Sequence, residues 1–140
     1  MCYYLSLGSN LGEREQTLRA ALQRIEQQIG IVTRCSSFYY SEPWGFDSPN
    51  AFCNLCCAVE TTMQPMELLA ATQAIERELG RTHKSVNGHY TDRAIDIDII
   101  RAFDDQQKEI VSNDPLLTIP HPLYPQREFV LIPLHEIGGE

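Results

Sequence analysis

The sequence lacks the marks of a membrane or secreted protein. No stretch of its 140 residues comes near the roughly 18 consecutive apolar residues that a membrane-spanning helix needs. Residues 1–10 contain no basic segment followed by a long apolar run, so they do not form a secretory signal. The five cysteines are an odd number, which favours reduced thiols over disulfides. We therefore expect a cytoplasmic protein that does not bind a membrane.

Basic residues are also scarce. Lys+Arg number 11 against 19 Asp+Glu, so the formal net charge is −8. This balance disfavours a nucleic-acid partner, which needs a basic surface to displace counterions. It also disfavours a triphosphate substrate, unless the cations are concentrated at one place. Only Lys84 and Lys108 are lysines, and the other nine cations are arginines, whose planar forks suit phosphate.

Two motifs are incomplete. Cys53-x-x-Cys56 has the spacing of a zinc or redox pair, but it lies in an apolar run with no second cysteine pair nearby. We interpret its cysteines as structural thiols of a buried strand. Residues 8–14 lack the glycine spacing and lysine of a phosphate-binding loop. We interpret this segment as a strand-to-helix turn with Asn10 near the helix cap.

The apolar pattern predicts a strand–helix–strand–strand–helix–strand order, followed by additions. This is the βαββαβ order of a ferredoxin-like α+β sandwich, in which helices pack on a mainly antiparallel sheet. We expect one domain over residues 1–140. The periodicity and the glycine and proline positions predict strands at 3–7, 31–40, 52–60 and 94–102, and helices at 11–29 and 65–79.

The C-terminal third is less regular. An acidic turn and a brief strand around Ile110 are predicted first, then a proline-rich segment over 115–125 and a final helix over 128–137.

The strongest chemical signal is the pair Asp96 and Asp98. Residues two apart in a strand point to the same face, so both carboxylates lie roughly 7 Å apart on one side of the strand. Ile95, Ile97 and Ile99 then point to the core. One interpretation is an exposed polar face; the other is a magnesium site, because Mg²⁺ commonly uses one or two carboxylates together with substrate phosphates.

The charges around this pair favour the magnesium site. Arg77, Arg81, Lys84, Arg93 and Arg101 concentrate five cations near the two aspartates, and Gln73 and Glu76 lie on the preceding helix. Positive clamps beside a metal are what phosphoryl transfer requires. For Arg77 and Arg101 we favour a solvated position.

Two further groups are ambiguous from the residues alone. His121 lies between two prolines near Thr118 and Arg127, which suits either a phosphate contact or a structural role. Trp44, Phe46 and Phe52 surround Asn54, which suits either a flat heterocycle or a capped core; the residues by themselves favour the core.

Taken in order, the motifs resemble one family. The segments are LGSNLGER (7–14), SSFYYSEPWG (36–45), FCN (52–54), TQAIERELGR (72–81), DRAIDIDI (92–99), IPHP (119–122) and REFVLIPLHEI (127–137). Together they resemble the hydroxymethyldihydropterin pyrophosphokinase family of folate biosynthesis. The resemblance implies a ferredoxin-like αβα fold and transfer of pyrophosphate from ATP to 6-hydroxymethyl-7,8-dihydropterin, with release of AMP.

The resemblance also implies roles for individual residues. Asp96 and Asp98 would hold two Mg²⁺ ions that bridge the ATP phosphates, and Arg81 and Arg93 would stabilise the developing charge. The nucleotide would lie along Gln73, Glu76, Ile99, Thr118, His121 and Arg127. The pterin would contact Asn54, Phe52 and Phe129, beneath a loop formed by Ser41, Pro43 and Trp44.

The sequence departs from the family pattern at several positions. Tyr90-Thr-Asp-Arg93 stands where many members have Trp-Gly-Pro-Arg, and His83 and Leu116 stand where further arginines are often found. These changes predict a different cationic clamp.

We expect a monomer. The alternative is a non-enzymatic ferredoxin-like module that binds a small molecule, which would explain the fold but not the aspartates, arginines and histidine together.

Overall fold

A mostly antiparallel sheet forms the centre of the protein. The computed structural model describes residues 1–41, 51–80 and 94–140. Pro43, Trp44, Arg81, His83, Lys84, Tyr90 and Arg93 lie outside the described residues. Within the described ranges the elements are β1 (Cys2–Ser9), α1 (Arg14–Gln28), β2 (Ile31–Cys35), β3 (Tyr39–Ser41), β4 (Phe52–Glu60), α2 (Pro65–Glu78), β5 (Asp96–Phe103), β6 (Ser112–Asp114), β7 (Leu117–Ile119) and α3 (Glu128–Glu136).

The strand order confirms the ferredoxin-like prediction. The main sheet runs β2-β4-β1-β5, with β3 also paired to β4, and every pairing is antiparallel. Between α1 and α2 the chain forms three strands, of which β2 and β3 each pair with β4, and β1 and β5 are neighbours in the sheet. Each helix therefore connects strands across the sheet, which is the split βαβ arrangement.

One face of the sheet packs against α1 and α2. Side chains alternate along each strand, so the odd-numbered positions of β1 and β4 supply this core. Its largest fully buried members include Tyr3, Leu5, Leu7, Leu18, Ile25, Leu55, Leu68, Ile75 and Ile95.

The opposite face packs against α3. A second, smaller cluster joins Val130, Leu134 and Ile137 of the α3 region to Tyr4, Cys56, Ala58 and Ile100 of the strands. Arg34 donates to the Ile137 carbonyl at 2.7 Å and Arg101 donates to the Gly139 carbonyl at 2.9 Å, which anchors the C-terminal end of α3. Arg101 also binds Glu109 at 2.9 Å, so the expected solvated position was wrong for this arginine.

A β-bulge in β5 explains why Arg101 reaches that face. Leu5 pairs with Ile99 and Tyr4 pairs with Arg101, so Ile100 is the extra residue. The bulge interrupts the alternation of side chains, because two residues of β5 oppose one of β1. Ile100 joins the α3 cluster, whereas Ile99 and Ala102 remain in the α1/α2 core.

Two predicted boundaries were wrong in the first half of the chain. The strand predicted over 31–40 is divided into β2 and β3, since the Ser36 hydroxyl accepts the Cys56 N–H at 3.0 Å and replaces a ladder bond. α1 begins at Arg14, with Glu13 rather than Asn10 next to it. Gly12 has φ +63, a left-handed conformation that cannot continue a helix toward Leu11.

The C-terminal prediction also changes. The strand expected around Ile110 is only a bridge between Phe103 and Glu109. The proline-rich segment begins instead within the β6–β7 hairpin and includes β7; at the turn, Asp114 Oδ1 accepts the Leu116 N–H at 2.8 Å.

The Cys53/Cys56 spacing places the two thiols on opposite faces of the sheet. Cys53 belongs to the α1/α2 core and Cys56 to the α3 cluster, so the pair cannot chelate one ion. Burial raises the pKa of Cys56 to about 12 and that of Cys53 to about 11, which keeps both as thiols at neutral pH. In the described part of the chain, no helix combines the length and apolarity that crossing a bilayer requires.

Candidate active site at the open end of the sheet

The two aspartates lie on the face of the sheet that packs against α3. Asp96 pairs with Gly8 and Asp98 pairs with Ser6 of β1, whereas Ile97 and Ile99 are buried on the other side. The predicted alternation is therefore confirmed. The Asp98 side chain is 34% exposed, which leaves its carboxylate accessible to a ligand.

Arg127 lies beside this pair at the start of α3. Its Nη1 is 4.0 Å from Asp98 Oδ2, and its guanidinium lies 5.6 Å from the centre of the Phe129 ring. Only 11% of the Arg127 side chain is exposed, so water screens its charge weakly. The arrangement places a fixed cation between the carboxylates and an aromatic ring.

His121 is held in one orientation near the same groups. The His121 backbone N–H donates to the Ile100 carbonyl at 2.8 Å, and the ring Nδ1 accepts the Leu123 N–H at 3.1 Å. The neutral ring therefore carries its proton on Nε2, as a donor. Burial, and then the charge of Arg127, lower the pKa of His121, while Asp96 opposes them.

A second polar group lies two strands away. Asn54 is 6% exposed and its Nδ2 donates to the Ser41 hydroxyl at 3.0 Å. Phe52 lies on the same face of β4, two residues before Asn54, and pairs with Ser41. This end of the face therefore combines an oriented amide with an aromatic ring.

Gly8 is the site residue that the sequence analysis missed. It pairs with Asn54 on one side and Asp96 on the other, so these three residues form one row across the sheet. Two strand spacings put the outer members roughly 10 Å apart. A Cβ at Gly8 would lie 2.7 Å from Asn54 Oδ1, so glycine lets the Asn54 side chain lie close against β1. The available signal was a glycine inside an otherwise buried strand.

The other residues predicted to contact the nucleotide differ in their burial and hydrogen bonding. The buried Glu76 accepts the Ile97 N–H at 2.8 Å and so ties α2 to β5. The Ile99 side chain is 4% exposed and belongs to the core. Gln73 on α2 and Thr118 on β7 are exposed, and the Thr118 hydroxyl donates to the Asp114 carbonyl at 3.2 Å.

Several predicted residues cannot be placed. Arg81 and Arg93 lie outside the described residues, and so do Pro43 and Trp44. Leu116, at the position where an arginine is often found, is 73% exposed at the β6–β7 turn.

The donor set fits magnesium. Asp96 and Asp98 supply two carboxylates on one face, and the described ranges contain no cluster of three or more His, Cys, Asp or Glu side chains that could form a complete cage. Mg²⁺ is commonly held by one or two carboxylates while waters and substrate phosphates complete its shell. The site therefore suits a metal that arrives with a phosphorylated substrate.

Comparison with known proteins identifies the family. Residues 4–139 match the family described as 7,8-dihydro-6-hydroxymethylpterin-pyrophosphokinase (HPPK). The chain belongs to the HPPK family. A relative from Porphyromonas gingivalis named 2-amino-4-hydroxy-6-hydroxymethyldihydropteridine pyrophosphokinase is 48% identical over 135 residues, which are 96% of this chain and 89% of the relative. An HPPK relative of the same name from Bacillus subtilis is 38% identical over 135 residues, covering 96% and 76% of the two chains.

Solved structures of HPPK domains share the fold. The crystal structure of Plasmodium falciparum HPPK-DHPS matches with a TM-score of 0.70 at 16% identity. The match covers 97% of this chain but only 39% of that longer one. At this identity the likeness shows the ferredoxin-like fold of HPPK domains and nothing finer.

Proposed function

We propose that this protein is an ATP-dependent pyrophosphokinase of folate biosynthesis. It transfers pyrophosphate from ATP to 6-hydroxymethyl-7,8-dihydropterin and releases AMP and the dihydropterin diphosphate. Membership of the HPPK family supports the reaction. The observation that carries the proposal is the row Asn54–Gly8–Asp96, which places an amide and the neighbouring Phe52 ring on the same face of the sheet as a carboxylate pair.

The pterin occupies the amide end of this row. Phe52 and Phe129 stack on the two faces of the heterocycle, and Asn54 hydrogen-bonds its edge. Ser41 holds the Asn54 amide through the 3.0 Å hydrogen bond, so the amide is oriented before the ligand arrives. Pro43 and Trp44 complete this binding site.

The triphosphate occupies the carboxylate end. Arg127 and the Nε2–H of His121 donate to phosphate oxygens, and Arg81 and Arg93 add positive charge where it develops in the transition state. The remainder of ATP extends along Gln73, Glu76, Thr118 and the edge of β5. Ile99 contributes there through its backbone, because its side chain is buried in the core.

Asp96 and Asp98 would hold two Mg²⁺ ions. Bound Mg²⁺ would neutralise phosphate charge and orient the reacting oxygens. The two carboxylates lie on the face that also carries Gly8 and Ser6, opposite the core face of Ile97 and Ile99. Among the four catalytic residues that we propose, Arg81, Arg93, Asp96 and Asp98, none is assigned as the base for the pterin hydroxyl.

The chain's contribution to the reaction is mostly placement. The row across β4, β1 and β5 sets the pterin and the phosphates side by side, so that the hydroxymethyl oxygen attacks the β-phosphorus in line with the departing AMP oxygen. The attacking oxygen bonds to phosphorus, the bond from phosphorus to the α-phosphate oxygen breaks, and the hydroxyl proton is released. Phe129 and Phe52 limit the access of water to the pterin.

A labelled-ATP assay tests the proposal. The protein is incubated with Mg²⁺, hydroxymethyldihydropterin and ATP labelled at the γ-phosphate. We expect AMP to appear with equal amounts of label on the pterin, and neither product to form without Mg²⁺. Appearance of ADP instead, or tight pterin binding without nucleotide turnover, would contradict the proposal; the second result would favour a binding module.

A further inference from the structure

We propose that Arg14 is a positioning residue for the pterin-binding edge of the sheet. It holds the end of β3 and the start of β4 together from the face opposite the ligand. This inference rests on the proposed function, because it concerns the residues that the pterin contacts.

The side chain of Arg14 makes two contacts, each with a different residue. Its Nη1 donates to the Ala51 carbonyl at 2.7 Å, and its guanidinium carbon lies 5.4 Å from the centre of the Tyr40 ring. Ala51 directly precedes Phe52, and Tyr40 directly precedes Ser41. One cation therefore contacts both neighbours of the residues that form the pterin end of the site.

The register shows that Arg14 reaches these strands from behind. Tyr40 pairs with Cys53, whose side chain is buried in the α1/α2 core. Asn54 lies one residue further and therefore points to the other face. Since Arg14 stacks on Tyr40, it is on the helix side of the sheet and acts on the pterin through the backbone rather than by contact.

The edge that Arg14 supports is built on a short strand. β3 has three residues, and its ladder partner is β4. Short edge segments open locally at low cost in free energy. Ser41 lies at the end of this strand and orients Asn54, so movement of β3 would release the amide.

An arginine suits both contacts at once. Its planar guanidinium can stack on a ring and donate in its own plane to a carbonyl. A lysine supplies one compact charge, which can make either contact but not both in the same geometry. We therefore expect Arg14→Lys to lie between the unaltered protein and Arg14→Ala.

A matched control is available one turn along α1. Arg19 lies 5.0 Å from the Phe38 ring and forms an i,i+4 pair with Glu15 at 3.6 Å. Arg19→Ala thus removes a cation, an aromatic contact and an ion pair from the same helix without touching Tyr40 or Ala51.

The decisive experiment compares Arg14→Ala, Arg14→Lys and Arg19→Ala with the unaltered protein. The dissociation constant of hydroxymethyldihydropterin is measured with Mg²⁺ and a saturating non-hydrolysable ATP analogue, and that of the analogue is measured separately. A small displacement of positioning groups costs up to about 100-fold, so we expect about tenfold weaker pterin binding in Arg14→Ala. Analogue binding and the melting temperature should match those of Arg19→Ala.

Amide hydrogen exchange without ligands supplies a readout independent of catalysis. We expect faster exchange in peptides covering 39–41 and 51–54 of Arg14→Ala and not of Arg19→Ala. Unchanged pterin affinity, equal weakening of both ligands, or unchanged exchange would overturn the positioning role. Failure of the unaltered protein to form AMP would instead contradict the proposed function, while the exchange measurement would still decide how Arg14 acts on the edge.

Discussion

The two faces of the sheet differ in what covers them. The face toward α1 and α2 is filled by apolar side chains along its described length, from Tyr3 and Val59 to Leu7 and Cys53. The face toward α3 carries a smaller apolar cluster around Tyr4 and Cys56, where α3 packs. Beyond α3 the same strands present Ser6, Gly8, Asn54, Asp96 and Asp98.

Within one strand, alternate residues therefore contribute either to the stability of the core or to the proposed chemistry. Leu7 and Gly8 are adjacent, but Leu7 lies in the core and Gly8 lies against Asn54 on the other face. Alternation lets a strand that is rigidly packed on one face present polar groups on the other. We therefore expect the packed core to hold the proposed site residues in place.

The largest expected effect is on the polar face. Asp98→Asn keeps the size of the side chain but removes a charge that magnesium and the arginines require. We expect AMP formation to fall by about 1,000-fold or more, corresponding to roughly 4 kcal/mol of transition-state stabilisation. Stability should be nearly unchanged. Asp105→Asn, at an exposed carboxylate near the N-terminus, is the control and should keep full activity. Near-normal turnover of Asp98→Asn would refute the metal assignment.

The matching change on the core face is Leu18→Ala. Leu18 is fully buried beneath the sheet, so the variant should lose about 2–5 kcal/mol of unfolding free energy. Urea denaturation measures this loss. Ile132→Ala, on a half-exposed residue of α3, should lose much less. If the folded Leu18→Ala protein bound pterin and ATP poorly below its unfolding transition, the proposed separation between the faces would be wrong.

The row across the sheet is tested at its centre. Gly8→Ala brings a methyl group against Asn54 Oδ1, which lies 2.7 Å from the ideal Cβ position. We expect the amide to move and pterin affinity to fall by roughly tenfold, whereas binding of an ATP analogue changes little. Titration calorimetry of each ligand separates the two effects. If Gly8→Ala and the unaltered protein bound the pterin with equal affinity, close packing of Asn54 against Gly8 would not be required for binding.

Phe129→Ala removes one of the two proposed stacking rings. A stacked aromatic pair contributes about 0.5–1.5 kcal/mol beyond burial, so pterin binding should weaken by about tenfold or somewhat less. ATP-analogue binding should stay mostly intact, although Arg127 loses the ring it lies over at 5.6 Å. Equal losses for both ligands would count against stacking on the pterin.

The smallest effect is the pH dependence contributed by His121. Burial lowers its pKa in the folded state below the usual 6.5, so the unfolded chain binds the proton more readily. This residue should therefore reduce stability as the pH falls through about 6.5. Comparing urea midpoints of the unaltered protein and His121→Asn between pH 5 and 8 checks the sign. A variant that loses more stability than the unaltered protein on acidification would contradict it.

Local patterns predicted most of the framework. Strand 52–60 and the start of the second helix at Pro65 were correct to the residue, because apolar alternation and a proline at the first turn are local signals. The prediction that Asp96 and Asp98 share one face of the sheet followed from the two-residue repeat of side chains along a strand. The break at Ser36 was not predictable in the same way, since it depends on a hydrogen bond to a residue 20 positions away.

The site was predicted by its residue types more than by its geometry. The resemblance named Asn54, Phe52 and the aspartates, and the structure puts these residues on one face. It did not name Gly8, whose role exists only because β4 and β5 flank β1. The bulge at Ile100 was also invisible, because it arises from pairing between distant strands rather than from the β5 sequence.

The sequence by itself determined the order of elements, the apolar stripe of each and the chemistry-bearing residues. Spacing along the chain sets these properties, since side-chain period and backbone preference are local. The tertiary structure alone decided which residues of β4, β1 and β5 stand in one row, and that Arg14 supports the pterin edge from behind. Strand register and the packing of helices on the sheet join residues far apart in the chain, and no local pattern encodes that choice.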